Sequence, residues 1–338
     1  MINIDELPIG LQTAIKQSDT NPLQLLADAT AAILPEHIGK TRRTRHGMLH
    51  AFINYCYPQQ EYTHSILVAQ NKEKFVMSRF ALGLGGSGRV KLGIDAHSAS
   101  PVAIKIYSDA DPLEIAQIIQ NLKQDDCYIN HIHTDGKDYI ITKFAPGDNL
   151  LDVLFHYEDQ KSMKKHISFA DQLELAISAV EEINKRHQKG LIICDIKPNN
   201  FIAYHNKCTI IDLDHLHRAG EKSGSKALVT HGYIALEYFS NGFNHTQQTD
   251  IYALGATLMD IFSPFDCTKK TTQTNLAENA LEYRDNPPHH NSIERKIWEV
   301  CCEMVSPHSK TRPTSMEVLK RLQDIRMSYQ QKNYKYKN

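Results

Sequence analysis

Between Ile66 and Phe144 the apolar residues come in short runs broken by turn residues. Ile66–Ala69, Phe75–Leu82, Arg89–Ile94 and Pro101–Tyr107 are β-branched or apolar stretches of strand length. The texture turns helical at Pro112–Lys123, and two further strands are predicted at Tyr128–His133 and Tyr139–Phe144. After Gly147 the chain reads as mostly helical, with a few short strands near 200–213. Ahead of the strands, Asn21-Pro22 followed by Leu23, Leu25, Leu26, Ala29 and Ile33 predicts a capped amphipathic helix, and Gly47–Tyr57 a second. Between them Lys40–Arg45 is strongly basic; it reads as a solvated loop, with a docking or anionic-surface patch as the other reading. The pattern predicts an α+β chain. Residues 1–63 form a helical N-terminal extension, 64–145 a small strand-rich lobe with one helix, 146–327 a larger helical lobe, and 328–338 a frayed polar tail.

Composition narrows this picture. The chain has 338 residues, 41% hydrophobic and 23% charged, the balance of a soluble globular protein. A formal net charge of −1 gives no reason to expect nucleic acid or a membrane surface as partner. No apolar run is long enough to span a bilayer, and MINIDELPIG lacks the basic start of a secretory signal. The 7 cysteines are irregularly spaced and odd in number, which suits free thiols and a cytoplasmic setting.

Chemistry enters at Leu82–Val90, which carries G-x-G-x-x-G-x-V in Gly83, Gly85, Gly88 and Val90. Glycines let a backbone approach phosphates closely, although a glycine-rich turn between strands can also be purely structural. A strand follows this turn, whereas a dinucleotide fingerprint requires a helix. Val102-Ala103-Ile104-Lys105 places a lysine on that next strand, within reach of phosphates. Glu114, in the first turns of the following helix, is the candidate carboxylate to hold Lys105; it also suits the helix dipole. Further on, Ile193–Asn200 contains D-x-K-P-x-N. Asp195 can accept or orient a hydroxyl proton, Lys197 can neutralise a moving phosphoryl group, and Asn200 offers an amide oxygen to Mg2+. Thr209-Ile-Ile-Asp212 is an apolar strand ending in a second metal carboxylate. Phosphoryl transfer rests on positioning and charge neutralisation, and these are the residue types it needs.

Taken in order from about Phe75 to Leu322, these motifs resemble the eukaryotic-type protein kinase family. The resemblance continues through His187–Gly190, Asp212–Asp214, Thr230–Glu237, Asp250–Gly255 and Arg312-Pro-Thr. It implies a bilobal protein-kinase-like fold with a small antiparallel-sheet lobe, and transfer of the ATP γ-phosphate to Ser or Thr of a protein substrate. It implies that Val90, Ala103 and Ile202 enclose adenine, that Ala145 supplies hinge backbone bonds, and that Thr142 is the gatekeeper. It also implies that Arg312 pairs with Glu237. Lys197 and Thr230 are similar to the serine/threonine branch. Four departures stand out: Ile193 and Cys194 replace the usual His and Arg, Leu236 replaces a proline, Asp214 replaces a glycine, and the Lys105–Glu114 link is short. Without that arginine, a phosphate on the 213–237 segment lacks its usual partner. Such departures resemble those of bacterial effector kinases delivered into host cells. Residues 1–63 are expected to make a regulatory or intramolecular contact.

Two other functions fit parts of the pattern. A pseudokinase scaffold conflicts with the presence of Lys105, Asp195, Asn200 and Asp212 together. A small-molecule phosphotransferase fits Asp212-Leu-Asp214 but not the Thr230–Glu237 segment. His131/His133 and His215/His217 each place two imidazoles on one face of an extended segment, a pair of ligand types zinc can use, but no third ligand is evident. Cys301-Cys302 reads as helix core.

Overall fold

The computed structural model of the chain describes residues 42–44, 64–85, 88–158, 161–164, 167–220, 230, 232–240, 245–262 and 292–337. The helices expected at Asn21–Ile33 and Gly47–Tyr57 lie outside the described residues. The chain divides into two compact units, Met1–Gly147 and Asp148–Asn338.

The first unit is built on strands β1 (Arg42–Thr44), β2 (His64–Val68), β3 (Lys74–Gly85), β4 (Gly88–Asp95), β5 (Pro101–Ser108), β6 (Tyr128–Thr134) and β7 (Lys137–Lys143). They form one antiparallel sheet in the order β1-β2-β3-β4-β5-β7-β6. Each run of strand length in the sequence between Ile66 and Phe144 becomes a strand. The alternation along β5 shows why: Val102 and Ile104 are buried on the core face, and Ala103 and Lys105 face the other way. Leu67, Phe75, Val102, Ile104, Tyr139 and Ile141 belong to that core. Helix α1 (Pro112–Leu122) starts where Asp111 accepts a hydrogen bond from the Leu113 N–H and Pro112 occupies the first turn. Ile115, Ile118 and Leu122 form its buried stripe. One expectation is corrected: part of the basic Lys40–Arg45 stretch is no loop, because Arg42–Thr44 pairs with His64–Ile66 as an edge strand.

The second unit is mainly helical. Its described helices are α2 (Leu150–Leu154), α3 (Phe169–Gln188), α4 (Glu237–Ser240), α5 (Gln247–Phe262), α6 (Ser292–Met304) and α7 (Ser315–Lys337). Ser168 caps α3 by accepting from the Asp171 N–H, and Lys185, Arg186 and His187 sit at the dipole's negative end. Helix α5 is buried nearly all round, packing on α3 and α6. Gly255 permits this: a Cβ there would lie 2.7 Å from the Met304 Cβ. The tail expected to fray is corrected as well. Helix α7 continues to Lys337, and Tyr329 packs its ring 5.0 Å from that of Phe169.

Three small sheets complete the unit. Strands β8 (Asp148–Asn149), β12 (Phe201–Tyr204) and β13 (Lys207–Ile210) form one; β9 (Phe155–Glu158) with β10 (Lys161–Lys164), and β11 (Leu191–Ile192) with β14 (His217–Arg218), form the others. The last pair brackets the catalytic-loop sequence.

Candidate active site

The loop Ile193–Asn200 is held from beneath by Asp250 of α5. The Asp250 carboxylate accepts from the Ile193 N–H at 2.8 Å and the Cys194 N–H at 2.9 Å. It also lies 3.0 Å from the His187 Nε2, and the two side chains are almost wholly buried. A buried carboxylate is tolerable only with such partners. His187 is in turn 3.2 Å from the Ser315 hydroxyl, which donates to Asn184. The loop is therefore fixed to α3, α5 and the start of α7 together.

On this support the predicted catalytic residues converge. The Lys197 ammonium donates to the Asp195 Oδ2 at 2.7 Å and to the Thr230 Oγ1 at 2.8 Å. The Thr230 hydroxyl lies 3.3 Å from the other Asp195 oxygen. Asn200 directs both amide protons to Asp195, at 2.7 Å to its carbonyl and 2.8 Å to its Oδ2. Its Oδ1 is left as an acceptor. The Ile211 N–H donates to the Asn200 carbonyl at 2.8 Å, which brings the next residue, Asp212, alongside. Asp212 is exposed and takes a left-handed backbone, φ 57°. Hard oxygen donors of this kind, one amide and one carboxylate, fit Mg2+. Cys194 shares the left-handed conformation, φ 76°. Two non-glycine residues in this region beside the predicted catalytic groups mark strain that the surrounding contacts hold.

In the first unit, β-sheet register aligns the predicted nucleotide residues. Val90 pairs with Lys105, and Ala103 with Thr142, so all four share the face opposite the core. Gly85 pairs with Gly88 at the end of the β3–β4 hairpin. At Gly88 a Cβ would lie 2.6 Å from the Ile106 carbonyl oxygen, which excludes other residues without a shift. Gly83 is exposed and has open space around its Cα. Ala145 is buried. In the second unit Ile202 is half-buried on β12, opposite Asn149 and Thr209.

The expected Lys105–Glu114 ion pair is not formed. Glu114 is exposed in the first turn of α1, while the Lys105 Nζ lies 5.5 Å from the centroid of the Tyr107 ring. The buried stripe of α1 starts at Ile115, which turns Glu114 outward. The histidine pairs also separate by environment. His131 and His133 both reach one oxygen of Asp138, at 2.7 and 3.0 Å. No group of three side chains suited to a metal occurs among the described residues. Cys301 is buried as expected, and Cys302 half-buried.

Glu237 and Arg312 meet as the resemblance implied, in a bidentate pair whose Nη2–Oε2 distance is 2.9 Å. Arg312 also donates to the carbonyls of Ser306 and Gln248 and lies over the Tyr252 ring. Sequence reasoning missed how His187 and His217 are used. Their partners lie 63 and 23 residues away, and no local spacing signals them.

A two-unit fold with an antiparallel sheet, a helical partner unit and this aspartate–lysine–asparagine loop defines the protein kinase class. Residues 78–322 match the protein kinase domain family, and the chain belongs to it. It is 26% identical over 216 residues to a probable serine/threonine-protein kinase of Dictyostelium discoideum, covering 62% of this chain and 15% of that protein. It is 22% identical over 218 residues to human mitogen-activated protein kinase 12, covering 61% and 58%. It is 27% identical over 207 residues to serine/threonine-protein kinase PknB of Mycobacterium tuberculosis, covering 54% and 31%. The matches thus span between 15% and 58% of these relatives' length. No helix among the described residues is long and apolar enough to cross a membrane.

Proposed function

We propose that the chain transfers the γ-phosphoryl group of ATP to serine or threonine hydroxyls of a protein substrate. The observation that carries this reading is the Asp195–Lys197–Thr230 triangle, with its bonds of 2.7, 2.8 and 3.3 Å. The Asp195 carboxylate accepts the proton of the incoming hydroxyl as that oxygen forms its bond to phosphorus. The bond from phosphorus to the β–γ bridging oxygen breaks, and ADP departs. Lys197 holds Asp195 in place and offsets negative charge on the transferring group. Thr230 ties the segment that receives substrate to the same lysine. A bound Mg2+, held by Asn200 and Asp212, would neutralise phosphate charge. Lys105 and the Gly83–Gly88 stretch are the groups of the first unit suited to ATP phosphates, and Val90, Ala103 and Ala145 those suited to adenine; in the second unit Ile202 is the apolar residue suited to adenine. The serine/threonine assignment is supported by Lys197, Thr230 and the names of the relatives.

The test is incubation with labelled ATP, Mg2+ and a mixed protein lysate, followed by phosphoamino-acid analysis. Phosphoserine or phosphothreonine is expected, together with loss of about 10²–10⁴-fold in rate for Asp195→Asn at retained ATP affinity. A variant that keeps wild-type turnover would sink the assignment of Asp195. Predominant phosphotyrosine would remove the branch assignment alone. Labelling of small molecules but not protein would favour the phosphotransferase reading.

A further inference from the structure

The residue before Asp195 is bonded in a way that the transfer chemistry above does not use. Strands β11 and β14 pair antiparallel, with Leu191 opposite Arg218 and Ile192 opposite His217. Continuing that register puts Cys194 opposite His215. The backbone ladder cannot continue there, because the N–H groups of Ile193 and Cys194 are both taken by Asp250. A side chain makes the next link instead. The Cys194 Sγ donates to the His215 carbonyl at 3.3 Å and lies 3.3 Å from the His217 Nδ1. That Nδ1 is itself 3.0 Å from the His215 carbonyl. A carbonyl can only accept, so the Nδ1 is the donor in that contact.

The other nitrogen of His217, Nε2, is buried and has no hydrogen-bond partner among the described residues. The thiol is protonated: burial, then the charges of Asp250 and Asp195, push it well above its ordinary value. Cys194, the His215 carbonyl and His217 thus form a bridge. It joins the strained residue that precedes Asp195 to the strand that follows Asp212.

We infer that Cys194 and His217 are positioning residues for phosphoryl transfer, acting through the His215 carbonyl to hold Asp195 against the Asp212 segment. This rests on the proposed kinase activity. The bridge stands where the family usually has an arginine, and it needs no anion to be complete.

Paired variants test it, because the members of each pair differ in the bond they can offer. Cys194→Ser keeps a donor toward His215 and Cys194→Ala removes it. His217→Asn places its amide nitrogen where the Nδ1 stood, whereas His217→Gln carries it to the unpartnered Nε2 position. The expected result is a fall in kcat of about tenfold or more for Cys194→Ala and His217→Gln, since small misplacements of a reacting group are costly. KM for ATP should change by less than about threefold, and Ser and Asn should restore most of the rate. Equal kcat within each pair, or kcat and KM changing together, overturns the inference. A second readout does not depend on activity: hydrogen exchange of the Ile193 and Cys194 amides. It should quicken in Cys194→Ala and His217→Gln, and not in Cys194→Ser and His217→Asn. If wild-type protein transfers no phosphate, the kinase reading fails. The exchange data then decide the bridge alone, with uniform protection across all four variants overturning it.

Discussion

Glu114 is exposed and contributes no ion pair to Lys105 in this structure. Glu114→Gln should therefore leave kcat and KM for ATP within about twofold, the range of a surface change. A loss comparable to that of Lys105→Met would show that the carboxylate reaches Lys105 during turnover. His245 presents the opposite case, a buried ring whose Nε2 has no partner among the described residues. Its ring centroid lies 4.3 Å from that of Tyr238, tilted, and 6.5 Å from that of His217, edge-on. Burial is the main cause that lowers its pKa from 6.5 to about 4; His217 and His215 add to this, and Asp250 and Asp195 oppose it. The folded value lies below the unfolded one, so the unfolded chain binds the proton first. Stability from this group is fully present above pH 6.5 and falls as pH drops toward 4. Between pH 7 and pH 5 the loss is about 2 kcal/mol by this linkage. His245→Phe keeps a ring against Tyr238 and removes the titration. Denaturant unfolding at the two pH values should show a loss smaller by about that amount in the variant. Equal losses in both proteins would show that His245 is not the group responsible. The contrast between these residues shows what was legible at this scale. Asp195, Lys197 and Asn200 lie within six positions of one another and could be read as a motif. The partners of His217 and His245 are assembled by the fold.

The elements divide along the same line. Strands β2 to β7 were readable because each packs one face on a common core, and the apolar runs carry that face directly. Strand β1 was not: its Arg42-Arg43-Thr44 has no apolar signal, and pairing to β2 alone makes it a strand. Helix α7 extends past the expected end because Tyr329 packs on Phe169, Ile325 is buried and Arg326 bonds Glu174. Those contacts outweigh the polar composition of its last turns. Helix α5 carries the sharpest packing constraint. A Cβ at Gly255 would meet the Met304 Cβ at 2.7 Å and the Val305 Cγ1 at 3.0 Å. Neither atom is the free end of a flexible chain, so α6 would have to move. Gly255→Ala should cost about 1–3 kcal/mol despite its better helix propensity. Chemical denaturation measures this; a stabilised variant would show that α5 and α6 are looser than the distances indicate. Because α5 carries Asp250, the same variant should also slow phosphoryl transfer.

At the scale of the whole chain, the question is what orders the catalytic loop. Kinases switched by phosphorylation use a phosphate of about −1.5 to −2 charges, paired to the arginine before the catalytic aspartate. Here Cys194 occupies that position, and its thiol is kept neutral by burial. Among the described residues, groups of the second unit tie the loop down. Asp250 takes two backbone amides, His187 links Asp250 toward Ser315, Lys197 bridges Asp195 and Thr230, and Cys194 reaches His215. None of these contacts includes a site awaiting an anion. Ser223 and Ser225, flanked in sequence by Lys222 and Lys226, are hydroxyl residues of the 213–237 segment and lie outside the described residues. A phosphate on either would have those lysines as local partners but no tie to residue 194. Activity should accordingly be independent of phosphorylation in the 213–237 segment. Phosphatase-treated protein, and separately the double variant Ser223→Ala, Ser225→Ala, should keep their rate on a general substrate. A fall beyond about tenfold in either, equivalent to about 1.4 kcal/mol of transition-state stabilisation, would mean that a phosphate completes the site. A cation other than the missing arginine would then have to receive it, and Lys197, already shared between Asp195 and Thr230, would be the first to examine.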